Sequence, residues 1–193
     1  MKNPSIASII ILVCFYGLFF LQACSKEHQD SAQVAQEMNV KNLGTTDDEK
    51  NAQFIVKAVE GDFASIKLAQ LALSQSSDPE VKRLAEILER DHIKALNELR
   101  DFAYKKGIAI PAEESSDAKT KISDLEKGAP GEFNKAWVEE FIDDHEHTIK
   151  LFESAWDETN DVELKSWINH KIPGLRTRLD ELTAYDRIMT SGL

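Results

Sequence analysis

Four stretches of the chain, each roughly 25 residues long, repeat apolar residues at intervals of three and four, and this periodicity limits the possible folds more than any other feature. They cover about residues 47–75, 79–106, 132–157 and 161–189. Helix-starting and helix-stopping residues bound them, such as Asp78-Pro79 before the second stretch and Gly107 after it. The sequence therefore predicts an all-α, four-helix bundle.

The connection between the second and third long helices is unusually long, since it covers residues 108–131. It contains a short helical candidate at residues 118–127, and its length means that the two long helices need not be antiparallel neighbours. Pro173 lies inside the fourth stretch, where a proline is expected to kink the helix because it removes an internal hydrogen bond.

The N-terminal segment is typical of a bacterial lipoprotein signal. Lys2 precedes an apolar run over residues 6–20, and Leu21-Gln22-Ala23-Cys24 follows it. About 15 apolar residues fall short of the roughly 20 that cross a bilayer as a helix. We therefore expect residues 1–23 to be removed with Cys14 and lipid to be attached to Cys24. The mature chain would then lack a free thiol for a disulfide or for cysteine catalysis.

Three segments follow from this interpretation: a signal peptide over residues 1–23, lipidated Cys24 with a flexible tether over residues 24–45, and the bundle over residues 46–193. The tether is predicted because this segment is polar, lacks aromatic residues and has little apolar periodicity. Ser25 follows the lipidated cysteine, which resembles lipoproteins sorted to the outer membrane. The expected location is the periplasmic side of that membrane, and exposure at the cell surface stays open.

The charge of the chain bears on its partners. The formal net charge is −11 and becomes −12 without Lys2, and the isoelectric point is about 4.9. Nucleic acid is disfavoured as a partner, because the chain has no basic surface to displace counterions from phosphates. The membrane is expected as a partner through the lipid, while an envelope protein or a second copy of the chain stays open.

Several short motifs occur along the long helices and the connection between them. They are Val81-Lys82, Asp91-His92, Gly107-Ile108 with Pro111, Asp144-His145-Glu146 and Ile172-Pro173. Their order and spacing resemble the bacterial family called Domain of Unknown Function 4142, over about residues 47–186. The resemblance implies a ferritin-like bundle of the cell envelope without a defined activity.

The resemblance also implies two departures from the family pattern. Family members usually carry a glutamate in the middle of the first long helix, where this chain has Phe63-Ala64-Ser65. They usually carry a histidine in the fourth helix at the position of Arg178. Both departures remove residue types that bind metals.

A two-metal site is disfavoured by the residues themselves. Carboxylate-bridged di-iron bundles take a Glu from each of two helices and a Glu-x-x-His pair from each of the other two. Glu89 and His92 form such a pair, but Ile142 stands three residues before His145 and Arg178 occupies the fourth helix. A complete ligand set is therefore missing.

A single-ion site is the sharper alternative. His92 and His145 both fall in the apolar stripes of their helices and would face each other across the bundle. With a carboxylate from Glu89, Asp91 or Asp144 they would suffice for one zinc, iron or copper ion. The favoured interpretation is different: each imidazole is a buried core residue hydrogen-bonded to an acid on a neighbouring helix, and no cofactor is expected.

Arg178 supports the favoured interpretation, because it lies on or beside the buried face of the fourth helix, where a guanidinium needs an anion. Asp91, Glu89 and Asp144 are the candidate partners. We hypothesise that Arg178 supplies the positive charge that a metal would otherwise bring. His147 lies roughly 200° from His145 around the helix and is expected on the solvated face.

The leading functional prediction is a non-enzymatic, lipid-anchored envelope module for interaction or stress. The alternative is a metal-binding or redox protein that uses His92 and His145, and a third is a small-molecule binder near Pro173. The sequence contains no glycine-rich phosphate loop, no His-Glu-x-x-His helix and no nucleophile elbow. Trp137, Trp156 and Trp167 are predicted to pack in the core.

Overall fold

The computed structural model describes residues 30–129 and 131–191, and this part of the chain is almost entirely helical. The four long helices confirm the predicted all-α bundle, and α4 lies where a short helix was predicted. No strand occurs among these residues. The helices are α1 (Ser31–Asn42), α2 (Thr46–Gln75), α3 (Pro79–Lys106), α4 (Ser116–Lys127), α5 (Phe133–Glu158) and α6 (Val162–Ser191).

Local capping sets the ends of the long helices. Thr45 Oγ1 accepts a hydrogen bond from the Asp48 backbone N–H, so α2 begins one residue before its expected start. Asp78 Oδ1 accepts two backbone N–H groups at the start of α3, with Pro79 at its first position. Gly107 closes α3 with a φ of 68°, a left-handed conformation that glycine adopts without strain.

The long helices pack in two sequential pairs, α2 with α3 and α5 with α6, and α2 also contacts α5. Short turns join each pair, whereas the long connection with α4 leads from one pair to the other. Helix α4 packs on α2 and α5. Helix α6 continues through Pro173 without interruption.

The segment predicted as a flexible tether is folded over residues 31–42, which corrects that prediction for this part. Helix α1 buries Ala32, Ala35 and Asn39 and packs against Val56 of α2. Asn39 exchanges two hydrogen bonds with the backbone of Ala109, at 2.8 and 2.7 Å. The small alanine side chains allow close packing, and Asn39 forms hydrogen bonds with the backbone of the connection after α3. The helix therefore packs on the bundle without the large apolar residues whose periodicity would predict it. The signal peptide and Cys24 lie outside the described residues.

Two apolar clusters fill the interior of the bundle, and a polar level separates them. Each long helix contributes to both clusters. One cluster includes Ile55, Leu99, Phe152 and Ile168, and the other includes Leu68, Leu84, Trp137 and Leu182. On each long helix, several polar residues lie between the members of the two clusters. We define the polar level by one of them from each helix: Asp62 on α2, His92 on α3, His145 on α5 and Arg178 on α6.

The three tryptophans have different environments. Trp137 is fully buried and Trp167 is partly buried against the first apolar cluster, as predicted. Trp156 is 40% exposed, and Lys165 Nζ lies 4.5 Å from its ring centre, which corrects the core prediction for this residue. Within residues 30–129 and 131–191, no helix has the length and apolar character that a membrane span requires.

Candidate functional site

His92 is held by a buried carboxylate on the neighbouring helix. Its Nδ1 lies 2.8 Å from Oδ1 of Asp62, which is 7% exposed. Burial raises the pKa of Asp62, although the hydrogen bond from His92 opposes the rise. The second carboxylate oxygen, Oδ2, is buried without a hydrogen-bond partner among the described residues. This contact fixes the His92 ring through one nitrogen.

His145 is held by the backbone of its own helix. The ring is 2% exposed, and Nδ1 lies 2.9 Å from the carbonyl oxygen of Phe141. A carbonyl only accepts, so we assign the proton to Nδ1 and a free lone pair to Nε2. Burial, reinforced by nearby His92, lowers the pKa of His145 to about 3. The ring is therefore neutral at physiological pH.

The two histidines meet across the bundle. Their ring centres lie 5.7 Å apart, with the ring planes at 81°. Metal-bound histidines almost always donate their second ring N–H to a carboxylate or a backbone carbonyl, which are the two partners found here. An ion that binds two imidazole nitrogens keeps the ring centres at most roughly 6 Å apart. The observed separation of the ring centres lies within this limit.

The ligand set is nevertheless small. Among residues 30–129 and 131–191, no three His, Cys, Asp or Glu side chains gather in a way that would hold a metal ion. The carboxylate nearest to the pair, Asp62, is engaged with His92 Nδ1. Any ion here would depend on two imidazole nitrogens, which excludes metals that require three or four protein ligands.

Arg178 on α6 pairs with Asp91 on α3. Arg178 Nε donates to Asp91 Oδ2 at 3.0 Å, and one terminal nitrogen donates to Glu181 at 3.0 Å. Burial alone would raise the pKa of Asp91, but the hydrogen bonds from Arg178 and Arg90 outweigh it and lower that pKa. Of the three predicted partners of Arg178, the structure brings Asp91 to it. Glu181 was not predicted.

The other two candidate acids lie apart from the histidines. Glu89 accepts a hydrogen bond from Gln70 at the surface, at 2.8 Å. Asp144 lines a different pocket with Lys121 and Glu140. Burial, followed by the charge of Glu140, raises the pKa of Asp144. His147 is exposed, as the helical angle indicated.

A cavity of about 230 Å³ opens beside the histidine pair. Its wall includes Asp62, Asp91, His92, His145 and Arg178, so the residues of the polar level share one space. The same cavity reaches Gly174, next to Pro173. The region expected to bind a small molecule and the histidine pair are therefore one continuous site.

The chain matches the profile of a known protein family. The profile of the family described as Domain of unknown function (DUF4142) matches residues 36–184. The protein belongs to this family. The match begins within α1, which agrees with the packing of that helix on the bundle. A search of curated proteins finds no match for the DUF4142 chain.

Solved structures share the fold of this DUF4142 protein at low sequence identity. A DUF305 fragment from Deinococcus radiodurans is 14% identical, with a TM-score of 0.63 over 71% of this chain and 95% of that one. CopM in its Cu(II)-bound form is 16% identical, with a TM-score of 0.60 over 71% of this chain and 96% of the other. CopM in its Cu(I)-bound form is 17% identical, with a TM-score of 0.61 over 75% and 97%.

Asp62 is the site residue that sequence reasoning missed in this DUF4142 chain. A carboxylate was sought near Phe63-Ala64-Ser65, where the family pattern suggests a glutamate, and Ser65 is buried. Asp62 follows Val59 by three residues and precedes Ile66 by four, so it lies in the apolar stripe of α2. An acid inside such a stripe is a signal for a buried ion pair.

Metal-free protein is expected to lose stability as the pH falls from 7 to 5, in part through His145. The unfolded chain protonates this histidine below about pH 6.5, whereas the folded chain resists protonation until about pH 3. The folded state therefore binds fewer protons in this window, which costs about 2 kcal/mol at pH 5 for this one group. Urea unfolding of wild type and His145→Phe at both pH values measures it. The variant should lose less stability, and equal losses would contradict the assignment.

Proposed function

We propose that this DUF4142 protein is a lipid-anchored, periplasm-facing copper-binding protein without catalytic turnover, in which His92 and His145 hold one Cu(I) ion. One observation carries the proposal. Both Nδ1 atoms are engaged, by Asp62 and by the Phe141 carbonyl, while the rings lie 5.7 Å apart beside a cavity. This pattern leaves both Nε2 atoms available for an additional partner.

The number of ligands favours Cu(I) over other ions. Structural zinc sites take four protein ligands and catalytic zinc sites take three, which the described residues do not provide here. Cu(I) is stable with two nitrogen ligands, and imidazole is a suitable ligand for copper. Structures of CopM with bound Cu(II) and Cu(I) share the fold, which supports copper by analogy. Bound copper would supply a redox-active ion, and the protein would supply its binding and shielding.

The charges around the two histidines are compatible with a bound monovalent cation. Arg178 lines the same cavity, but Asp91 and Glu181 compensate its charge. Asp62 adds a carboxylate next to His92. A bound cation would lower the cost of burying the ionised form of this carboxylate. With copper bound, Arg178 would not replace the charge of a metal ion, in contrast to the hypothesis drawn from the sequence.

An anaerobic Cu(I) titration of residues 25–193, which omits the thiol of Cys24 and is purified without a histidine tag, tests the proposal. Competition with bicinchoninate should show one Cu(I) per chain. X-ray absorption should then show nitrogen neighbours and no sulfur. A protein that retains no copper against bicinchoninate overturns the proposal, as does sulfur coordination, because sulfur would place the ion at methionine residues.

The lipid anchor is expected at Cys24. Replacing Cys24 with alanine should abolish labelling by radioactive palmitate in a bacterial host and release the protein from the membrane fraction. Cys14→Ala is the matched control, since Cys14 lies in the predicted signal peptide, and this variant should keep both label and location. Labelling of the Cys24→Ala variant would contradict the anchor.

A further inference from the structure

We infer that the cavity beside His92 and His145 binds a small organic anion, namely a carboxylate with a short apolar body. The inference stands independently of copper, because it depends on the rim and the apolar wall of the cavity.

The rim is positively charged in a protein that is otherwise acidic. The net charge of the chain is −11, yet four cationic side chains and His170 line this cavity against two acids. Both acids are engaged, Asp62 by His92 and Asp91 by Arg178. The four cationic side chains are Lys57, Lys94, Lys171 and Arg178.

Two of these cations form no close ion pair with a described residue. Lys171 pairs with Glu98 at 2.5 Å, and Arg178 pairs as described above. Lys57 and Lys94 are exposed and make no ion pair within the described ranges. Glu98 interacts with the charge of Lys94 without a close ion pair, so the ammonium groups on α2 and α3 both remain available to an anion. The exposed His170 adds a ring nitrogen on α6.

Part of the cavity wall is apolar, which defines the rest of the ligand. Its residues would surround a short hydrocarbon chain or a small ring, with the anionic group at the rim. Ligand sites of this kind combine apolar walls with a few polar groups that fix orientation. The apolar lining residues are Ala58, Leu88, Ala95, Leu151, Phe152 and Leu175.

Two glycines independently indicate that the opening is kept clear. Gly61 in α2 and Gly174 in α6 line the cavity, and both lie inside long helices, where glycine is unfavourable. A Cβ atom at either position would meet no heavy atom within 4 Å. Close packing therefore does not require these glycines. Free space at the cavity mouth explains their presence better.

Calorimetry of the metal-free protein with sodium octanoate and 1-octanol tests the inference. The two probes share a chain of the same length and differ in the charge of the head group. Octanoate should bind at least tenfold more tightly than octanol, and it should shift the amide NMR signals of Gly61 and Gly174. No detectable binding of octanoate overturns the inference, as does equal binding of both probes.

Charge-reversal variants locate the site. The double variant Lys57→Glu/Lys94→Glu should bind octanoate at least tenfold more weakly. The matched control is Lys67→Glu/Lys82→Glu, which makes the same charge change on the same two helices away from this cavity. It should change the affinity less than twofold. Equal losses in the two double variants would overturn the inference, because they would indicate a general charge effect.

A steric pair of variants gives a second readout. Gly174→Leu should narrow the opening and weaken octanoate binding at least tenfold, whereas Gly174→Ala should retain it. Circular dichroism checks that both variants fold, which the open space at this position favours. Unchanged binding in a folded Gly174→Leu protein counts against the site. Because copper is absent from these experiments, their failure leaves the Cu(I) titration unaffected.

Discussion

Replacing His145 with phenylalanine is expected to lower the affinity for Cu(I) by at least about 100-fold, because loss of an outer partner of a metal-bound histidine already costs 10- to 100-fold. The site proposed here has two protein ligands, so the variant loses half of them. Phenylalanine suits the position, since His145 is buried, neutral and next to Phe141. His92→Gln should have a similar effect while keeping a donor for Asp62.

The chain offers matched controls for this result. His147 lies on the same helix and makes the same type of backbone hydrogen bond, from Nδ1 to the carbonyl of Asp143 at 2.9 Å, but it is exposed. His147→Phe should change the Cu(I) affinity less than twofold in the same bicinchoninate competition. A loss in His147→Phe as large as in His145→Phe would mean that copper binds at the surface of α5.

Trp137→Ala is expected to lower the free energy of unfolding by about 4 kcal/mol, within the range for truncating a buried aromatic residue. Trp137 is 0% exposed, and its ring centre lies 4.8 Å from that of Phe141. Its Nε1–H donates to the backbone carbonyl of Leu68 at 2.8 Å, so the variant also loses that hydrogen bond. Urea unfolding followed by circular dichroism measures the change.

Trp156→Ala is the control for the buried tryptophan. It removes the same side chain from the same helix, but at a position that is 40% exposed. The ammonium group of Lys165 lies 4.5 Å from its ring centre, and such exposed contacts contribute about 0.5–1 kcal/mol. Equal losses for the two variants would contradict the assignment of Trp137 to the core.

The helices were predictable because their signals are local. Periodicity and caps such as Asp78-Pro79 and Gly107 act within a few residues, so they gave the bounds of α3 without knowledge of its neighbours. Helix α1 was missed for the opposite reason. Its buried face consists of Ala32, Ala35 and Asn39, and its position depends on a distant backbone partner in the connection after α3.

The candidate site was only partly predictable, since it depends on how the helices align. The stripe positions of His92 and His145 indicated that both rings point inward, and they do meet. Whether Arg178 pairs with Asp91 or with Glu89 depends on how far α3 and α6 are shifted relative to each other along the bundle axis. No local sequence pattern gives this shift. Asp62 was overlooked because the search followed a template centred on Ser65.

The polar level between the two apolar clusters also affects how the long helices align during folding. Sliding one long helix by a single turn, about 5.4 Å, would move its polar side chain into an aliphatic layer and separate it from its partner. Asp62 would lose His92, and Arg178 would lose Asp91. Apolar side chains alone tolerate such shifts far better than paired charges do. The residues of the polar level therefore favour a single alignment of the four long helices along the bundle axis.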